Sequence, residues 1–169
     1  MHVDFADPVL NDRKILLFGP IDQRAAEVVI REFLYLDGKS HEPIDFYLKS
    51  PGGDMQYSFA IEQTMRLLRS RVNTYALSEC NSGGAVLLAA GTGKRSALHG
   101  TMIVIHGIAF HGNKPPPVYT AGMQDIYTEF WRKHTRLPQS WRPLPFDSLH
   151  ILTAEHALEY GVVDEVVGK

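Results

Sequence analysis

The sequence predicts a single α/β domain, residues 1–169, built on a mostly parallel sheet, and three observations carry that expectation. Short apolar runs typical of strands alternate with amphipathic helical segments along the chain. The 169 residues, 44% of them hydrophobic, suffice for one sizeable core and leave little room for a second. The most distinctive turn residues fall just after strands, where open α/β sheets carry their ligand sites.

Lys14 to Phe18 is an apolar run closed by Gly19-Pro20 and reads as a buried strand. Asp22 offers an N-cap to a helix in which Ala25, Val29, Phe33 and Leu36 share one face, with a stop near Asp37-Gly38. Ile44 to Leu48 is a second strand, broken by Ser50-Pro51-Gly52-Gly53. Ile61, Met65 and Leu68 mark a second helix, and Val72 to Leu77 a third strand. The small-residue stretch Ser82 to Ala85 leads into Val86 to Ala90, a helix apolar nearly all round and therefore buried. Thr101 to Ile105 is a strand ending on His106, and Gly107 to Pro117 reads as a loop. Tyr119 to Thr135 predicts a helix with Met123, Ile126, Tyr127, Phe130 and Trp131 on its apolar side. Leu137 to Leu149 holds three prolines and cannot be one regular element. Thr153 caps a short helix to Tyr160, Gly161 stops it, and Val162 to Val166 reads as a last strand.

A formal charge of −2 and a pI near 6.4, with scattered Arg and Lys, argue against nucleic acid as a partner. No apolar run reaches the ~18 residues of a membrane span, and no signal-peptide pattern opens the chain. With a lone Cys80, a reducing cytoplasm is the expected location.

Three places after strands can carry chemistry: Pro51-Gly52-Gly53, Asn81-Ser82-Gly83-Gly84, and His106. A serine at a tight strand-to-helix turn exposes its hydroxyl beside unpaired helix N–H groups. It becomes a nucleophile when a base takes its proton and N–H donors face the developing oxyanion, which Gly53 and Gly83 can supply. On local pattern alone, such a serine is more often an ordinary N-cap, and a strand-end histidine more often a structural one. Gly91-Thr92-Gly93-Lys94-Arg95 lacks the glycine and hydroxyl of a phosphate loop and reads as a turn. His99, His106 and His111 have no acidic or cysteine partner at regular spacing, so no metal is expected, and no cofactor. His111 and Asn113 read as loop residues beside the site, Cys80 as buried and unreactive, and Asp54 as a helix cap.

Ser50-Pro51-Gly52-Gly53, the run Cys80 to Gly91, Gly93-Lys94-Arg95, Met102 to His106 and Ala157 to Asp164 resemble, in order and spacing, the proteolytic subunit of Clp proteases. The resemblance runs from about Ile15 to Val166. It implies a ClpP/crotonase-like fold of repeated ββα units, with Ser82 as nucleophile, His106 as general base, and the N–H groups of Gly53 and Gly83 as the oxyanion hole. It also implies a ring-forming homo-oligomer that takes peptide or unfolded protein, with an AAA+ unfoldase or a paralogous subunit as further partner.

The sequence departs from the family pattern in four places. Gly83 stands where the family often carries a larger residue. The family's acid lies four residues before the hydroxyl residue that opens the last helix; that position is Leu149, and Asp147 is the nearest candidate. The segment before Lys14 is short, and the handle segment, 106–136, is shortened and contains Lys114-Pro115-Pro116-Pro117. The expectation is a serine endopeptidase acting in an oligomeric chamber. An inactive accessory subunit, motivated by Leu149, is the alternative, followed by an acyl-CoA enzyme on the related crotonase fold. Oligomerisation is further expected from apolar Tyr35 and Leu36 and from the aromatic face around Phe130 and Trp131.

Overall fold

The computed structural model describes residues 7–108, 115–141 and 148–168. A single-turn helix α1 (Pro8–Asn11) precedes β1 (Lys14–Phe18), α2 (Gln23–Lys39), β2 (Ile44–Ser50), α3 (Met55–Leu67), β3 (Val72–Asn81) and α4 (Gly83–Ala89). Then come β4 (Arg95–Leu98), β5 (Met102–His106), α5 (Pro117–His134), a 3₁₀ turn at Gln139–Trp141, β6 (Leu149–Thr153), α6 (Ala154–Glu159) and β7 (Glu165–Val167). The caps read from sequence hold: Asp22 accepts from the Ala25 N–H at 2.8 Å, Asp54 from Gln56 at 2.7 Å and Thr153 from His156 at 3.3 Å. Gly161, at φ +67°, follows α6 in the left-handed conformation that ends helices.

The seven strands form one mixed sheet in the order β1-β2-β3-β4-β7, parallel throughout. The ten-residue β3 serves two neighbours. Its first half, Thr74–Ala76, pairs with β4, and its end, Glu79–Asn81, pairs with β5. β6 joins β5 antiparallel. This division sets β5 along the end of β3, so that the strand closing on His106 runs past the place where β3 turns into α4.

The buried faces explain the elements. Ala26, Val29, Phe33 and Leu36 of α2 are buried, as is every residue of α4. On β1 only Ile15 and Leu17 are buried, whereas Leu16 and Phe18 are 50% and 58% exposed. The strand read as buried is therefore covered on one side only. On that open side Tyr47 of β2 stacks on Tyr75 of β3 at 4.8 Å.

The structure corrects three other expectations. Leu36, Phe130 and Trp131, taken as oligomerisation surface, lie inside the domain's own core at 3%, 6% and 0% exposure. Phe130 meets Phe59 of α3 and Trp131 edge-on, which is the partner its helix face requires. The last strand begins at Glu165, while Val162 and Val163 are buried just ahead of it. β4 and β6 are absent from the sequence reading. No helix among the described residues is long and apolar enough to cross a membrane.

Candidate active site

β3 ends at Asn81 and the chain reverses at Ser82, whose backbone sits at φ 53°, ψ −120°. A side chain rarely adopts that conformation, and its cost, ~1–3 kcal/mol, is met by the surrounding contacts. The Ser82 N–H donates to the Val104 carbonyl at 2.8 Å, which stitches the turn to β5. The Ser82 hydroxyl makes no capping bond to α4. The ordinary N-cap reading therefore does not hold, and the hydroxyl stands uncommitted at the wall of a cleft.

Glycines make the close approach possible. At Gly52 (φ +97°) a Cβ would lie 2.6 Å from the Ser82 Cβ and 2.8 Å from the Asn81 carbonyl oxygen. At Gly53 it would be driven into the Ile21 backbone, 2.6 Å from its nitrogen. Two bonds hold this crossing: Ile21 N–H donates to the Gly52 carbonyl and Asp54 N–H to the Ile21 carbonyl, both at 2.9 Å. Between them the Gly53 N–H has no acceptor among the described residues. The Gly83 N–H opens α4 and has no intrahelical partner. Gly83 also has a packing reason to be glycine, because a Cβ would collide with the Ser58 hydroxyl of α3 and lie 3.2 Å from the Ser58 Cβ.

His106 closes β5. Its Nδ1 lies 2.6 Å from the Gly107 carbonyl oxygen. A carbonyl only accepts, so a neutral ring carries its proton on Nδ1 and presents a lone pair at Nε2, the arrangement a general base needs. The His106 carbonyl accepts a 2.8 Å bond from the Tyr127 hydroxyl of α5. Across the β5–β6 ladder, the residue in register with His106 is Leu149. Asp147, His111 and Asn113 lie outside the described residues.

Ser82, His106 and Gly53 share one cleft of about 980 Å³. No hydrogen bond joins the Ser82 hydroxyl to the imidazole; such bonds in catalytic pairs are often long until a substrate aligns them. The rest of the wall is mainly apolar, with Met55, Ile108, Val118 and Met123, and Tyr119 accepts a 2.6 Å bond from Gln56 that ties α5 to α3 across it. Cys80, by contrast, is sealed beneath α4, its thiol donating to the Gly84 carbonyl at 3.2 Å and burial pushing its pKa up. Sequence reasoning missed the Gly107 carbonyl and the role of Tyr127. The last was findable, since a tyrosine on a core-facing stripe must find a partner for its hydroxyl.

These features, a mixed α/β sheet with a strained serine and a strand-end histidine in one cleft, make up the candidate site. The Clp protease family matches the chain over residues 1–169, and the chain belongs to that family. It is 33% identical over 172 residues to the ATP-dependent Clp protease proteolytic subunit of Deinococcus radiodurans, covering 97% of this chain and 84% of that protein.

Proposed function

We propose that the chain is a serine endopeptidase subunit that cleaves peptides or unfolded polypeptide through an acyl-enzyme at Ser82. The carrying observation is the uncommitted Ser82 hydroxyl in the same cleft as His106, beside two N–H groups that have no acceptor among the described residues. His106 Nε2 takes the hydroxyl proton as Oγ attacks the scissile carbonyl. The oxyanion is received by the N–H groups of Gly53 and Gly83. As the tetrahedral adduct collapses, the imidazolium returns the proton to the leaving amine. Water, deprotonated by the same ring, then releases the acyl half and restores Ser82. The apolar wall supports a preference for apolar residues beside the scissile bond. Asp147 is the proposed acid that stabilises the imidazolium.

Assembly into a chambered ring, feeding by an AAA+ ATPase and a cytoplasmic setting belong to the same proposal. Leu16 and Phe18 on the open side of the sheet support assembly. A fluorophosphonate probe tests the core of the reading. It should label the wild type and not Ser82→Ala; absence of labelling and of peptide cleavage in every oligomeric state sinks the reading.

The second reading, an inactive subunit that assembles with an active homologue, draws support from Leu149 in register with His106. Hydrolysis by the chain alone, abolished by Ser82→Ala, excludes it. Nothing specific favours an acyl-CoA enzyme, since the described cleft lining contains no Lys or Arg for the phosphates of CoA. Failure to bind a CoA ester by calorimetry removes it.

A further inference from the structure

The sheet runs out beside His106, and one buried side chain takes over where it ends. β3 and β5 are in parallel register as far as Asn81 and Val104, and the Ser82 N–H closes that ladder on the Val104 carbonyl. Beyond Ser82 the backbone of β3 becomes α4. Carbonyls two residues apart in a strand point the same way, so the next one aimed at the vacated position is that of His106. It receives the Tyr127 hydroxyl at 2.8 Å in place of a strand N–H. Tyr127 is 0% exposed and is held by an edge-on contact with Trp131, so its hydroxyl has little freedom to go elsewhere.

We propose that Tyr127 is a positioning residue for the acyl transfer: by fixing the end of β5 it keeps the His106 ring on the Gly107 carbonyl and its Nε2 free to act as base. The proposal rests on the peptidase reading of Ser82 and His106. It assigns α5 a role within the subunit, because the helix that lines the cleft with Val118, Tyr119 and Met123 also anchors the base. Without the hydroxyl the His106 carbonyl has no donor among the described residues, the strand end gains freedom, and the bond from Nδ1 to Gly107 is no longer held in register.

The test compares wild type, Tyr127→Phe and Phe33→Leu as full-length assembled proteins. Phe33 lies in the α2 core, away from the cleft, so its variant controls for lost stability alone. With a fluorophosphonate, Tyr127→Phe should react ~10-fold more slowly, while a competing peptide binds within ~2-fold of wild type. Phe33→Leu, if equally destabilised in thermal melts, should react at the wild-type rate. Nitrogen-15 shifts of His106, read by solid-state NMR and assigned with His106→Gln, should show the Nδ1-protonated tautomer in wild type and a mixture in Tyr127→Phe. A wild-type rate and tautomer in Tyr127→Phe, or equal slowing in Phe33→Leu, overturns the proposal. If wild type itself does not react, the peptidase reading has failed, and the tautomer comparison still decides the role of Tyr127.

Discussion

Leu149 stands in register with His106 across the β5–β6 ladder, and its side chain is 61% exposed. A leucine accepts no proton and stabilises no imidazolium, and the Gly107 carbonyl at 2.6 Å orients the ring without neutralising its charge. Orientation and charge stabilisation, usually delivered by one carboxylate, are therefore separable here. If Asp147 supplies the charge, Asp147→Asn should lower kcat on a peptide substrate by ~10 to 10³, less than the ~10⁴ of triads in which the acid also sets the tautomer. Adding Leu149→Asp to that variant should restore most of the loss. An unchanged kcat in Asp147→Asn removes the residue from the site.

Ser82 is held at φ 53°, ψ −120°, where glycine is at ease. Ser82→Gly should abolish labelling and peptide cleavage while raising stability to urea by ~1 kcal/mol, because the backbone strain is relieved. Lower stability in that variant would show that the seryl side chain contributes more to packing than its conformation costs.

Gly53 is limited by backbone, and Gly83 by a side chain. Gly53→Ala forces a Cβ against Ile21 and should cost ~3 kcal/mol in urea unfolding, with loss of cleavage. At Gly83 the Ser58 hydroxyl can turn aside, so Gly83→Ala should cost ~1 kcal/mol. Gly83→Ala combined with Ser58→Ala, which removes the colliding hydroxyl and keeps α3 helical, should recover part of that loss.

Burial, with Asp7 nearby, pushes the Glu32 carboxyl up to about 7. The folded state thus binds a proton more tightly than the unfolded chain, whose glutamate titrates near ~4.3. The sign follows: stability is greatest below that value and falls as pH rises to about 7. Glu32→Gln should flatten this slope and raise stability at pH ~8 by on the order of 2 kcal/mol, with no gain at pH ~4. Equal gains at both pH values would place the effect elsewhere.

Leu16 and Phe18 lie on an edge strand with half their surface in water. Leu16→Glu with Phe18→Glu should convert the assembled protein to monomer in light scattering, with peptide cleavage lost in parallel. An unaltered mass would move the subunit contact to another face.

Much of the strand and helix order was legible because the apolar runs are short, dense and bounded by Gly, Pro and capping Asp or Thr. Ser82 and His106 were readable as strand-end residues in a chain with several matching blocks. The rest depended on pairing between distant segments. β4 is only Arg-Ser-Ala-Leu, too short and too polar at its start to announce itself, and it exists because β3 and β7 flank it. β6 follows a proline-rich stretch and gains its extended form from β5. Phe130 and Trp131 were misassigned because an amphipathic face shows only that something covers it; here the covering surface is the domain's own α3 and core. The capture of the His106 carbonyl by Tyr127 spans 21 residues and two elements, and no local pattern encodes it.

The concealment of Cys80 gives the molecule a built-in clock. Its sulfur can be reached by an alkylating reagent only when α4 lifts from the sheet, and α4 is the element whose first turn holds Ser82 in place. Iodoacetamide should therefore modify the folded protein only slowly, and the rate of labelling reports how often the turn at Ser82 opens, in the same tube and without a spectroscopic probe.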